Sequence, residues 1–165
     1  MGTGKAKGGM YGGMRVCIRK ILKKEDEKVI IECTEITPEV EDIRAYAAGK
    51  GAEIWGTTDS RRTERFRLED VYYFEALDEK LFAYTGEQVY EVKMRLYEAE
   101  RAFERFHFVR CSKSVILNLL LLEGISPALN GRFFAHMKNG ERLMISRQYA
   151  GEMKRIVMGG GNDEK

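Results

Sequence analysis

The chain has 165 residues, 44% of them hydrophobic and 33% charged, with only 2 prolines and a formal net charge of +2. That length holds one domain, or one domain with a small extension, and that apolar content excludes a fully disordered chain. No apolar run approaches the ~20 residues of a membrane span, and the start lacks a signal-peptide stretch, so a cytoplasmic protein is expected.

Residues 1–13 (MGTGKAKGGMYGG) are glycine-rich and carry no apolar period, so they read as a flexible leader or tag. From Met14 the pattern turns strand-like: Val16, Ile18, Ile21 and Leu22, a charged turn, then Val29, Ile30, Ile31 and Cys33, which predicts a β-hairpin. Thr37-Pro38-Glu39 has the residues of a helix start, Val40, Ile43 and Ala47 share one face, and Gly49 suits the stop. Residues 14–51 are therefore expected to form a β-β-α extension.

A second β-rich stretch begins near Ala52. Glu53–Gly56 and Glu64–Arg67 flank a polar turn, and Trp55 is expected in the core. Val71-Tyr72-Tyr73-Phe74 is apolar on both faces, as a central strand should be. Leu81–Thr85 is expected to pair with it across Asp78-Glu79-Lys80. Val89–Val92 leads into a helix with Val92, Leu96, Ala99 and Phe103 inward. Phe106–Cys111 reads as a strand, interrupted by Ser112-Lys113-Ser114 before the apolar run Val115–Leu122. Gly131–Lys138 and Arg142–Ile145 flank Asn139-Gly140, a type I′ hairpin signal. Ser146 suits the N-cap of a last helix with Tyr149, Met153, Ile156 and Val157 inward, and residues 159–165 read as a tail.

Charge is unevenly spread. Glu69–Glu104 holds 4 Lys and Arg against 10 Asp and Glu, whereas Arg105–Arg155 holds 9 against 3. A basic C-terminal third behind an acidic middle bears on partners rather than on fold. Arg61, Arg62, Arg65 and Arg67 form a second basic cluster, suited either to phosphates or to a solvated hairpin. Cys17, Cys33 and Cys111 lie far apart with no CxxC, so neither a disulfide framework nor a zinc ribbon is expected. His107 and His136 have no metal-ligand spacing, and no G-x-S-x-G or H-E-x-x-H occurs, so neither an enzyme nor a cofactor is expected. Cys111 abuts a basic loop, as a redox sensor would, but alternation turns it inward, where thiols are inert. Asn118 reads as a structural tie between a strand end and backbone.

Three segments carry a resemblance: Phe66-Arg67-Leu68-Glu69-Asp70-Val71-Tyr72-Tyr73-Phe74-Glu75-Ala76, Phe108-Val109-Arg110-Cys111-Ser112-Lys113-Ser114-Val115-Ile116-Leu117-Asn118, and Leu143-Met144-Ile145-Ser146-Arg147-Gln148-Tyr149. In this order they make residues 52–158 resemble a LytTR-type DNA-binding domain, and residues 14–51 resemble the extension of stand-alone LytTR regulators. The resemblance implies an α+β, predominantly β fold: an elongated antiparallel domain with short flanking helices. It further implies a bacterial, cytoplasmic transcriptional regulator that reads double-stranded promoter DNA, in direct repeats, through inter-strand loops. Its DNA-binding residues would be Lys80 in the first loop, Ser112, Lys113 and Ser114 in the second, Arg147 and Gln148 in the third, with Lys138 on the hairpin beside them. Homodimerisation and a membrane-protein inhibitor are implied partners; a small-molecule substrate is not. The acidic middle motivates one alternative, a protein-interaction module on the same fold that has lost DNA reading.

The chemistry of these residue types agrees. Arginine pairs bidentately with guanine O6 and N7, lysine binds base or phosphate, and hydroxyls suit phosphate oxygens. A cation in the first turn of a helix opposes the helix dipole, so Arg147 is not there for helix propensity.

Overall fold

The computed structural model describes residues 14–24, 28–47 and 51–159. The leader 1–13, the helix stop at Gly49 and most of the expected tail lie outside them. The chain divides into two compact units, residues 1–49 and 50–165.

In the first unit α1 spans Pro38–Ala47. Thr37 opens it as its sequence predicts: its Oγ1 accepts from Val40 N–H at 3.4 Å and its carbonyl from Glu41 N–H at 3.0 Å. Val40 is buried, whereas Ile43 and Ala47 are exposed. The expected hairpin is not formed: among the described residues of 14–33 there is no strand, and Val16, Ile18, Leu22, Val29 and Ile30 are exposed. An isolated two-stranded hairpin is marginal without a third strand or a covering helix, so the alternating pattern alone does not build one.

The second unit is mostly antiparallel β. One sheet has seven strands in the order β2-β1-β5-β4-β3-β7-β6, and a second has three in the order β10-β9-β8. The strands are β1 Glu53–Thr57, β2 Thr63–Arg67, β3 Val71–Leu77, β4 Lys80–Thr85, β5 Val89–Val92, β6 Phe108–Arg110, β7 Val115–Asn118, β8 Leu122–Pro127, β9 Phe133–Met137 and β10 Arg142–Ile145. Two helices join them, α2 at Leu96–Phe103 and α3 at Arg147–Val157.

The larger sheet has a core on each face. In β7, Ile116 joins one core while Val115 and Leu117 join the other, the period-2 alternation of a strand buried on both sides. On one face α2 contributes Leu96, Ala99 and Phe103, packed around the fully buried Phe74 and Phe108. On the other, Tyr73, Cys111 and Leu117 meet Ala135, Met137 and Ile145 of the smaller sheet, closed by Ala150 and Met153 of α3. The register shifts between Val71 and Tyr73, so Val71 and Phe74 share a core despite their odd spacing.

The apolar run after Ser114 does not stay one strand. Asn118 ends β7; its Oδ1 accepts from Leu120 N–H and its Nδ2 donates to the Val71 carbonyl, both at 3.0 Å. A 3-10 turn at Leu119–Leu121 then carries the chain into the smaller sheet. Asn118 is thus a structural tie, as expected.

Other expectations are corrected. Trp55 is 61% exposed, with the Arg65 guanidinium 5.5 Å from its ring, because it lies on the outward face of a strand near the sheet's edge. In α3 the buried residues are Ala150 and Met153, while Ile156 and Val157, in the helix's last turn, are exposed. Asn139-Gly140 does close a hairpin, but only Gly140 has positive φ (87°), and Gly140 N–H donates to Met137 O at 2.9 Å. That is a type I turn with a glycine bulge. The double left-handed pair of a type I′ turn falls instead at Asn130 (φ 60°) and Gly131 (φ 73°), between β8 and β9. Among the described residues no helix is long and apolar enough to cross a membrane.

Candidate nucleic-acid interface

Four chain reversals meet at one end of the second unit. The β6–β7 loop, Ser112–Ser114, lies at the centre. Ala76 N–H of β3 donates to Ser114 O at 2.8 Å, which sets the β3–β4 hairpin beside it. On its other flank Ser146 N–H donates to Cys111 O at 2.9 Å, which fixes the β10–α3 junction. The β8–β9 turn completes the group: a Cβ placed on Gly131 would lie 3.4 Å from Cγ of Arg147. The Arg147 stem therefore runs over a turn backbone that has no side chain to displace it.

Three of these reversals, the β6–β7 loop, the β8–β9 turn and the β10–α3 junction, line an open concavity of about 550 Å³ with Ser112, Lys113, Ser114, Ser146, Arg147, Gln148, Met144, Asn130 and Arg132. Lys113, Arg132 and Arg147 give it three cations, and no carboxylate lines it. All three are exposed, and no ion pair with a carboxylate holds any of them among the described residues. Solvated, uncommitted cations on a concave, carboxylate-free wall are available to an anionic partner.

Five of the residues singled out from sequence thus come together: Ser112, Lys113, Ser114, Arg147 and Gln148. Lys80 and Lys138 do not join them. Lys80 opens β4, and its Nζ lies 3.1 Å from Glu91 Oε2 on β5, drawn away from the β7 side of the hairpin. Lys138 is exposed in the β9–β10 turn, at the opposite end of β9 from Arg132, a strand length of about 16 Å. Arg132 and Asn130 escape sequence reasoning because only the type I′ turn brings them to the site; an Asn-Gly pair before an apolar strand was the available signal.

The other basic cluster is largely neutralised. Arg62 pairs with Glu64 at 2.9 Å, Arg65 with Glu53 at 3.4 Å and Arg67 with Glu69 at 3.0 Å. A second concavity, of about 510 Å³, carries Asp59, Glu87, Glu91 and Glu141 and no cation. Cys111, behind the loop, is fully buried, and burial pushes its thiol up to about 12 despite the neighbouring Arg110. A thiol so shifted is the reverse of the low-pKa, accessible group that a redox sensor uses.

The family profile described as the LytTr DNA-binding domain matches residues 61–158. An uncharacterised HTH-type transcriptional regulator of Staphylococcus aureus (strain NCTC 8325 / PS 47) is 32% identical over 87 residues, covering 53% of this chain and 58% of that protein. Its counterpart in strain MRSA252 is 31% identical over the same shares. The chain therefore spans under two thirds of the length of these curated relatives. Among solved structures, the LytTr DNA-binding domain of a methyl-accepting/DNA response regulator from Bacillus cereus superposes with a TM-score of 0.60 at 27% identity, covering 64% of this chain and 96% of that one. In this chain β6–β10 separate α2 from α3, so the two helices of the second unit do not form a helix-turn-helix.

Proposed function

The chain belongs to the LytTR DNA-binding domain family, and we propose that it is a sequence-specific regulator of transcription that reads the major groove of duplex DNA through its inter-strand loops. The observation that supports this reading is the juxtaposition of Lys113, Arg132 and Arg147 on one carboxylate-free concavity. Arg147, its stem seated on Gly131, serves as the bidentate reader of a guanine edge. Gln148 suits adenine, Lys113 suits a base edge or a phosphate, and the hydroxyls of Ser112 and Ser114 suit phosphate oxygens. Arg132 supplies positive charge to the backbone. The reading assigns no base to Lys80 or Lys138.

One such module buries limited DNA surface, so a homodimer on repeated half-sites is part of the proposal, with the first unit as its interface. The test is selection from a random duplex library at fixed salt. The expected result is an enriched sequence bound well above scrambled duplex, with Arg147→Ala and Lys113→Ala each losing about tenfold or more of that preference at unchanged thermal stability. Absence of any enriched sequence from a folded chain overturns the reading.

The carboxylate-lined concavity at Asp59, Glu87, Glu91 and Glu141 favours a second reading, docking of a basic protein partner. That reading predicts partner binding insensitive to Arg147→Ala.

A further inference from the structure

Arg110 lies two residues before the central loop, yet it does not face the concavity. Its three guanidinium nitrogens are all committed. Nε donates to Ser112 O at 2.7 Å, Nη2 donates to Lys113 O at 2.5 Å, and Nη1 donates to Glu100 Oε2 at 2.7 Å. The side chain is only 20% exposed, and Glu100 comes from α2, the helix packed on the sheet's other core.

The geometry is that of a clamp. Two successive carbonyls of the loop point back onto one rigid planar fork, so the Lys113 side chain is left directed outward. A lysine at position 110 could not satisfy both carbonyls with the same geometry, because its amine is a point donor on a flexible stem. The carboxylate of Glu100 has a separate effect. It neutralises the guanidinium and gives it a better-placed anion than a DNA phosphate, which keeps Arg110 on the loop when duplex approaches.

We infer that Arg110, anchored by Glu100, is a positioning residue that sets the backbone of Ser112–Ser114 for base reading and makes no DNA contact of its own. The inference rests on the reading given above and deepens it, since it assigns sequence discrimination to a pair outside the concavity.

The experiment uses the full chain and two probes: the duplex that the wild type enriches from a random library, and a scrambled duplex of the same length and composition. Arg110→Lys keeps the charge and loses the fork; Glu100→Gln keeps a hydrogen-bond acceptor and loses the anchor's charge. Arg110→Lys is expected to lose about tenfold in affinity for the selected duplex. Its affinity for scrambled duplex should stay within about twofold, and the slope of log affinity against log salt should not change. Glu100→Gln should show a smaller loss, about threefold, at the same base pairs. The loss should fall where Lys113→Ala loses discrimination, and the Arg110→Lys, Lys113→Ala double variant should be little worse than Lys113→Ala alone.

An equal loss of affinity for selected and scrambled duplex in Arg110→Lys, with discrimination intact, overturns the inference, because it marks Arg110 as a phosphate contact. Wild-type discrimination in both variants overturns it as well. If Arg110→Lys fails to fold, Glu100→Gln alone decides, by the same base-pair pattern. A wild type that selects no sequence overturns the DNA-reading proposal and this inference with it, whereas selection with unchanged variants overturns this inference alone.

Discussion

Asn118 shows what a single buried polar side chain contributes. It is 1% exposed and is satisfied at both ends, by the Val71 carbonyl and by Leu120 N–H. Asn118→Ala strands both groups, and urea unfolding should show a loss of about 1–3 kcal/mol. Asn118→Asp should be no better, since it sets a carboxylate oxygen against the Val71 carbonyl. Cys111 gives two further measurements. Cys17 and Cys33 are exposed and Cys111 is buried, so a thiol reagent should label two groups quickly in the native chain and the third only on unfolding. In the unfolded chain the Cys111 thiol ionises near its ordinary 9.0, and in the native chain near 12. Between those values the unfolded state has released a proton that the native state keeps. The contribution of Cys111 is therefore complete below about pH 9 and is lost as pH rises toward 12. Tyr73 and Tyr84, both raised chiefly by burial, add to the same decline. Unfolding midpoints measured from pH 8 to 11 should fall, and more shallowly in Cys111→Ala.

The hairpin turns are where local conformation and the site meet. Asp78 (φ 49°) and Glu79 (φ 62°) hold left-handed backbone without a glycine, at the β3–β4 reversal beside the central loop. Each carries a Cβ penalty that glycine or asparagine relieves. The pair Asp78→Asn, Glu79→Gly should stabilise the fold by about 1 kcal/mol in chemical denaturation. It also removes two carboxylates from the reversal beside the central loop, so affinity for scrambled duplex should rise. Two elements were readable in the sequence: the continuous apolar run Val71–Phe74 marks a strand covered on both faces, and the spacing of Leu96, Ala99 and Phe103 marks a helix face. Residues 14–33 alternate as well, but alternation specifies a strand only where a partner strand completes it. The candidate site was half readable. Lys113 and Arg147 sit inside recognisable segments, whereas Arg132 depends on a turn type, and the Arg110–Glu100 pair joins a strand to a helix with no local pattern to announce it.

Among the described residues, both cores of the second unit are drawn from residues 52–153. A chain beginning at Gly51 should therefore keep a cooperative transition, with a midpoint within about 4 °C of the full chain, the shift that ~1 kcal/mol produces at this size. If the first unit is the dimer interface, as proposed, the same truncation should sediment as a monomer and bind a single half-site. On the proposed reading, the hydrogen bond from Ser146 N–H to the Cys111 carbonyl couples two of the loops that would meet a promoter. It welds the bends carrying Lys113 and Arg147 into one rigid stylus, so neither can follow a displaced base without dragging the other. If both bends contact bases as proposed, penalties for paired promoter lesions beneath them should depart from simple addition, and an altered base should be tolerated far better than an altered spacing.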